Sequence, residues 1–326
     1  MLVFALDASR DIGSAIARAV GVTLAAHEER GFEDGEHKVR PLVDPAGADC
    51  YVVQSLHGGP AAGGDEKLLR LLMMIAALRD HGARRVTAVV PYLAYARKDR
   101  RTQPFDPLSL RVVAQLFEAV GTDALIALEA HSAAAFDNAL RLRAVNLDPG
   151  DLFAAAAEPL LGGEPVVVAS PDIGGVKRVQ ELGALLAARG RPAAATAFFE
   201  KRRSRDVVTG GAIVGDVRGR DCLILDDLIA SGGTLARAAV ACRAQGASAV
   251  YAAAAHALFL PATAGRLAEA GLDRLLVTDS IPLPGPPPGG LPLEVLPLAP
   301  YLADVLDCLR SRTPVEAVTQ LGRQPP

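Results

Sequence analysis

The run Asp226, Asp227, Leu228, Ile229, Ala230, Ser231, Gly232, Gly233, Thr234 combines groups that can hold a phosphorylated sugar. It follows an apolar stretch at 221–225 and precedes an Ala-rich stretch at 234–245. Gly232 and Gly233 let the backbone curl without side-chain interference. Ser231, Thr234 and the free amides of a following helix can then cradle a phosphate dianion. Asp226 and Asp227 cannot bind phosphate directly. They can accept hydrogen bonds from sugar hydroxyls, or reach them through a divalent cation. The plainer reading is a polar strand-to-helix turn. Two carboxylates beside a glycine pair make it the weaker one.

Other residue types suit charge-handling chemistry. Lys201, Arg202 and Arg203 form one basic run, and Arg97, Lys98, Arg100 and Arg101 form another. Such runs are ordinarily solvated faces. The planar guanidinium of Arg97 can nevertheless stack on a base or fork onto phosphate oxygens, and Lys98 adds a point charge beside it. His131 and Asp172 each follow an apolar strand-like run, at 125–128 and 165–169. A carboxylate such as Asp172 is a good hard-cation ligand, whereas His131 acts through water or on a polyphosphate oxygen. Taken singly, either residue is more often structural.

These residues require strand–helix units to position them. Short apolar runs at 2–6, 50–54, 86–90, 125–128, 165–169, 193–199, 221–225, 249–255, 275–277 and 293–296 read as strands. Helical spacing appears at 12–19, 66–81, 107–119, 175–188, 234–245 and 301–309. Gly82 stops the second of these helices. Alternation of this kind predicts an α/β fold with mainly parallel sheets flanked by helices. The boundaries expected are a first domain at 1–148, a second at 149–310 and a tail at 311–326, with the alternative that the C-terminal helix packs back on the first domain.

Bulk composition narrows the classes. The chain has 326 residues, 50% of them apolar, and no Trp, so its cores must be built from Ala, Val and Leu. With 34 basic and 37 acidic side chains the formal charge is −3, which argues against a general nucleic-acid surface. Cys50, Cys222, Cys242 and Cys308 contain no CxxC pair, so neither a zinc knuckle nor a redox motif is expected. No apolar stretch reads as a signal peptide or membrane span, and a soluble cytoplasmic protein is expected.

The 226–234 run resembles the ribose-5-phosphate loop of phosphoribosyltransferases and of ribose-phosphate pyrophosphokinases. Further segments favour the second family. They are Phe32-Glu33-Asp34-Gly35-Glu36, the stretch from Pro91 to Arg100, the stretch from Ser170 to Arg178, Lys201-Arg202-Arg203, and, less strongly, the stretch from Val277 to Pro282. They occur in the family's order over nearly the whole chain. The resemblance implies two phosphoribosyltransferase-like domains with the active site between them. It also implies transfer of the β,γ-diphosphoryl group of ATP to the 1-hydroxyl of ribose 5-phosphate.

Residue by residue, the resemblance implies an ATP site from Phe32, Asp34, Gly35, Glu36, Arg97, Lys98 and His131, with Phe32, Asp34 and Glu36 reaching a neighbouring subunit's nucleotide. Without the resemblance, Phe32 reads as a core or turn residue. Magnesium is implied at His131 and Asp172. Lys201 and Arg203 match catalytic cations on a mobile loop, with Arg203 also near the sugar phosphate. Asp226, Asp227, Ala230, Ser231, Gly232, Gly233 and Thr234 match the sugar-phosphate site. A homo-oligomer is implied. The chain departs from the family at Ala230, where Asp is common, at Lys98, where Gln is common, and at 132–135. Two other readings are a phosphoribosyltransferase, supported by the 226–234 run alone, and a non-catalytic regulatory relative.

Overall fold

The computed structural model describes residues 1–315 except 60–61, 163–164, 192, 205–206, 284 and 286–289, with backbone only at 193–194, 200–204 and 207–212. It divides into two units. One comprises Met1–Asp148, Ser280–Pro282 and the chain from Pro297 onward; the other comprises Pro149–Asp279 and Leu283–Leu296.

The first unit runs β1 (Leu2–Ala5), α1 (Arg10–Ala19), β2 (His27–Gly31), β3 (His37–Pro41), β4 (Asp49–Val53), α2 (Gly64–Asp80), β5 (Arg85–Val90), α3 (Ser109–Ala119), β6 (Ala124–Leu128), α4 (Ala133–Ala139) and β7 (Arg143–Leu147). Its five-stranded sheet has the order β1-β4-β5-β6-β7, and all neighbours are parallel. Strands covered on both faces need apolar residues at consecutive positions, and β4 and β6 are buried throughout. Leu71, Met74, Ile75 and Leu78 of α2 and Val113 and Phe117 of α3 share one core with Phe4, Val52, Ala88 and Leu125. β2 and β3 form a separate antiparallel hairpin.

The second unit runs α5 (Gly150–Ala157), β8 (Val166–Ser170), α6 (Val176–Ala188), β9 (Ala193–Ser204), β10 (Val207–Val214), β11 (Asp221–Ile229), α7 (Gly233–Ala244), β12 (Ala249–Ala257), α8 (Thr263–Glu269), β13 (Arg274–Thr278) and β14 (Leu293–Leu296). The sheet order is β10-β9-β8-β11-β12-β13-β14, parallel except for the β9–β10 pair. Alternate residues face opposite layers. Val166, Val168, Leu223 and Leu225 pack with Phe153 of α5 and Val179 and Leu182 of α6. Val167, Ala169, Cys222 and Ile224 pack with Leu235 and Ala239 of α7 and Leu267 of α8.

The last helix, α9 (Ala299–Ser311), belongs to the first unit, not to a domain at 149–310. It packs on α1 and buries Leu302, Val305, Leu306 and Leu309, which joins two segments distant in sequence. Residue 311 closes this helix rather than opening a tail, and 316–326 lie outside the described residues. Among the described residues no helix is long and apolar enough to cross a membrane.

Asp49 fastens the start of β4. It is 5% exposed and accepts from Arg84 Nε and Nη2 at 2.9 and 2.7 Å and from Arg85 Nε and Nη2 at 3.1 and 2.7 Å. These two guanidiniums hold its carboxyl well below the usual carboxylate range. A depressed folded-state pKa gives stability that is present above the unfolded value and lost as pH falls through it. Asp49→Ala is expected to lower unfolding free energy by about 1–3 kcal/mol at neutral pH. In urea titrations the difference should shrink below about pH 4, where the wild-type carboxylate begins to protonate in the unfolded chain. Equal stabilities at neutral pH would refute the assignment.

Candidate active site

In the second unit the strand order reverses between β8 and β11. From β8 the sheet extends through β9 to one side, and from β11 through β12, β13 and β14 to the other. Crevices at such a reversal, off the carboxyl ends of the strands, are where open α/β sheets bind ligands. β8 and β11 are paired through Cys222↔Val167, Leu223↔Val168 and Ile224↔Ala169. The residue after β8's exit, Asp172, and the end of β11, carrying Asp226 and Asp227, therefore flank this reversal.

Asp227 is buried, and its amide donates to Asp226 Oδ1 at 2.9 Å. Burial first, and then the charge of Asp227, push the Asp226 carboxyl far above the usual carboxylate range, while the positive charge of Arg178 opposes them. Two carboxylates forced together in this way gain from a hydroxyl donor or a hard cation.

β11 then leads into a sharp turn. Gly232 sits at φ +70° and caps α7 with no side-chain hydrogen bond, so no side chain competes for the helix's first amides. A Cβ at Gly232 would lie 3.0 Å from Thr263 Cγ2 and 3.2 Å from Leu267 Cγ. α8 and the segment before it brace the turn. Leu260 N and Thr263 Oγ1 donate to Ala230 O at 3.2 and 2.8 Å, and Arg266 Nη1 donates to Ser231 O at 2.5 Å. A cavity of about 980 Å³ opens beside Ser231, Gly233, Arg237 and Arg266.

Asp172 caps the short turn Ile173–Gly175, its Oδ1 accepting from Gly174 N at 3.0 Å. Ser170 Oγ donates to Asp172 O at 2.5 Å, and a Cβ on Gly175 would collide with that hydroxyl. The Gly at 175 thus permits the turn that fixes Asp172. Asp172 offers the oxygen donor that suits magnesium rather than a softer metal, but among the described residues it is not gathered with Asp226 and Asp227 into a three-ligand cluster.

The first unit carries the other expected residues. The β2–β3 tip holds Phe32, Asp34, Gly35 and Glu36. Phe32 N donates to Glu36 O at 2.7 Å, Glu36 N donates to Asp34 Oδ1 at 3.0 Å, and Gly35 adopts φ +89°. Phe32 is 41% exposed under the guanidinium of Arg30, 4.7 Å from the ring centre, so it is not a core residue. Below the tip, Glu29 accepts from Arg70 of α2 at 3.1 Å, which ties the hairpin to the unit. Arg97 is exposed after β5. Lys98 Nζ instead bonds Asp106 Oδ2 at 2.5 Å and Thr102 Oγ1 at 2.9 Å, so its charge is engaged inside its own loop. His131 is exposed past β6, just ahead of Ser132, which caps α4.

Lys201 and Arg203 are carried by β9 itself, opposite Gly211 and Val208 of β10, rather than by a loop after the strand. Backbone pairing at an edge hairpin tolerates charged side chains, which is why a polar run continues the strand. The side chains of Lys201 and Arg203 lie outside the described residues.

Residues 1–121 match the family model described as the N-terminal domain of ribose phosphate pyrophosphokinase. Residues 205–284 match the phosphoribosyl synthetase-associated domain. A ribose-phosphate pyrophosphokinase of Hyphomonas neptunium is 35% identical over 310 residues, covering 94% of this chain and 95% of that protein. One from Listeria monocytogenes is 36% identical over 287 residues, 86% of each chain. The crystal structure of phosphoribosylpyrophosphate synthetase from Mycobacterium smegmatis aligns with a TM-score of 0.87 at 31% identity, covering 95% of this chain and 99% of that one. The chain belongs to the ribose-phosphate pyrophosphokinase family.

Within this pyrophosphokinase scaffold several charged groups escape the sequence reading. Arg178 of α6, whose charge acts on Asp226, lies in a recognised segment but was not assigned a role by it. Lys67 of α2 is 4% exposed, and its Nζ bonds His57 Nε2 at 2.9 Å and His57 O at 2.8 Å, past the end of β4. Burial lowers both pKa values, taking His57 to about 4. The signal for Lys67 was its position in the core stripe with Leu71, Met74 and Leu78. Asp7, His27 and Glu29 bring three potential metal ligands together at the hairpin base, but Arg10 and Arg70 already neutralise the two acids.

Gly232 is the point where this loop is most sensitive. An Ala there must hold a left-handed backbone, a strain of about 1–2 kcal/mol, and meets Thr263. Gly232→Ala is expected to lower unfolding free energy by about 1–2 kcal/mol, with β-branched Gly232→Val worse. Calorimetric melting checks this. Full stability of the Val variant would contradict the turn geometry.

Proposed function

We propose that the protein is a ribose-phosphate diphosphokinase. It transfers the β,γ-diphosphoryl group of ATP to the 1-hydroxyl of ribose 5-phosphate, giving phosphoribosyl pyrophosphate and AMP. The observation that carries this reading is the Asp226–Asp227 pair leading into a glycine-turned phosphate cradle at the strand reversal, with Asp172 on the adjacent strand exit. Kinship with ribose-phosphate pyrophosphokinases over nearly the whole chain supports it.

The amides of 230–234, with the hydroxyls of Ser231 and Thr234, hold the 5-phosphate, and Asp226 accepts from ribose hydroxyls with Asp227 beside it. Arg97 binds the nucleotide, Lys98 joins it if the Asp106 pair opens, and Phe32, Asp34, Gly35 and Glu36 reach the nucleotide of a neighbouring copy in a homo-oligomer. Asp172 and His131 would hold magnesium. When bound, the ion supplies charge neutralisation on the polyphosphate. The sugar 1-hydroxyl attacks the β-phosphorus, the bond to the α-phosphate oxygen breaks, and AMP leaves. Lys201 and Arg203 balance the charge that builds on the transferring group.

AMP formation should require both ATP and ribose 5-phosphate, and other sugar phosphates should turn over more slowly. Lys201→Ala should lose about 2–4 kcal/mol of transition-state stabilisation while keeping its MgATP affinity. Asp172→Ala should instead weaken magnesium-dependent nucleotide binding. A folded Lys201→Ala enzyme with wild-type turnover would remove Lys201 from the mechanism. Absence of AMP from the wild type would remove the activity.

The raised Asp226 pKa adds a pH test. The sugar-binding form needs the carboxylate, so ribose 5-phosphate affinity should strengthen as pH rises through the neutral range. Asp226→Asn should flatten the profile measured by calorimetry. A wild-type profile already flat there would refute the charge assignment.

A further inference from the structure

Two guanidiniums converge on the turn before α7 without taking part in the scheme above. Arg237 stands one helical turn after Gly233, and helical side chains lean toward the helix N-terminus, which brings it back to the turn. Its Nη2 lies 3.5 Å from Thr234 Oγ1, and its Nη1 lies 3.4 Å from where a Gly233 Cβ would be. Arg266 of α8 arrives from the other side. Its Nη1 donates to Ser231 O and lies 3.7 Å from the same Gly233 position. Both line the cavity of about 980 Å³ that opens at Ser231 and Gly233. Glu269 lines it too, yet among the described side chains neither arginine has a carboxylate partner. An Arg on an exposed helix face ordinarily pairs at i±3 or i±4 or points into solvent. Here two of them face a turn whose first amides have no side-chain cap.

We infer that Arg237 is a phosphate-binding residue of the sugar-phosphate site, and that Arg266 positions the loop that presents that site. Arg237 would fork onto the dianion held by the 231–234 amides, beside the Thr234 hydroxyl. The missing Cβ at Gly233 leaves the approach open: a side chain there would meet Arg237 before a phosphate could. Arg266 acts through Ser231 O and fixes the loop's path. This assignment rests on reading the turn as a sugar-phosphate site, and it extends that site to a residue with a fixed positive charge.

The test uses the full-length protein and two readouts, AMP formation and calorimetric binding of inorganic phosphate and ribose 5-phosphate. Arg237→Ala alters an exposed position and should fold. The expected result is a rise of about tenfold or more in KM for ribose 5-phosphate, with KM for ATP and kcat at saturating sugar phosphate within about twofold. Raising salt should weaken wild-type binding more than the variant's. Arg237→Lys should recover part of the loss, because it restores charge without the fork. Arg266→Ala should raise the same KM without the distinctive salt effect. An unchanged KM in an active Arg237→Ala enzyme overturns the inference and leaves the diphosphokinase reading standing. If the wild type forms no AMP but Arg237→Ala still loses phosphate binding, the activity fails and the phosphate site stands. Equal phosphate binding by wild type and variant, or none by either, overturns the inference whatever the activity.

Discussion

Asp226 and Asp227 are held side by side at the end of β11, where one carboxyl is pushed toward its neutral form by burial and by its neighbour. That unfavourable pairing constrains everything around it. A carboxylate pair of this kind persists only in a rigid frame, and the frame is a seven-stranded sheet with apolar layers on both faces. The strain is relieved by positive charge or by hydroxyl donors, and Arg178 supplies the first from within the chain. The proposed ligand, a phosphorylated sugar with a hard cation, offers both kinds of relief.

Small side chains make the frame possible. β12 reads Ala-Val-Tyr-Ala-Ala-Ala-Ala-His-Ala, and α7 presents Ala236, Ala238 and Ala239 to the core. Ala-rich faces let a helix sit close to its sheet, which sets the start of α7 directly after the turn at Gly232. α8 then braces that turn through Thr263 and Arg266. Packing, turn conformation and loop hydrogen bonds thus converge on one short segment, 226–234.

Much of this was legible in the residues. Strong apolar runs placed the central strands, and a glycine pair beside two acids placed the loop. Elements with little apolar signal escaped. The β2–β3 hairpin is written in charged residues, His-Glu-Glu-Arg-Gly and His-Lys-Val-Arg-Pro, and it is held by cross-strand backbone bonds and by Glu29 on Arg70. β9 continued through Lys201 and Arg203 because, past its last pairing with β8 at Phe198, it needs only its backbone partner in β10. The place of α9 depends on contacts with α1 some 290 residues earlier, and local pattern alone leaves it open between the two domains. Lys98 looked free for a nucleotide until its loop folded Asp106 back onto it.

Phosphorus NMR of the full-length protein with magnesium, ATP and ribose 5-phosphate tests the central claim most directly, because it reads which phosphorus is attacked. Attack at the β-phosphorus predicts that the ATP signals are replaced by AMP and by the paired signals of a diphosphate on the sugar's C1. Accumulation of ADP with a single phosphate on C1, or unchanged ATP under conditions where ribose 5-phosphate binds, would contradict the account.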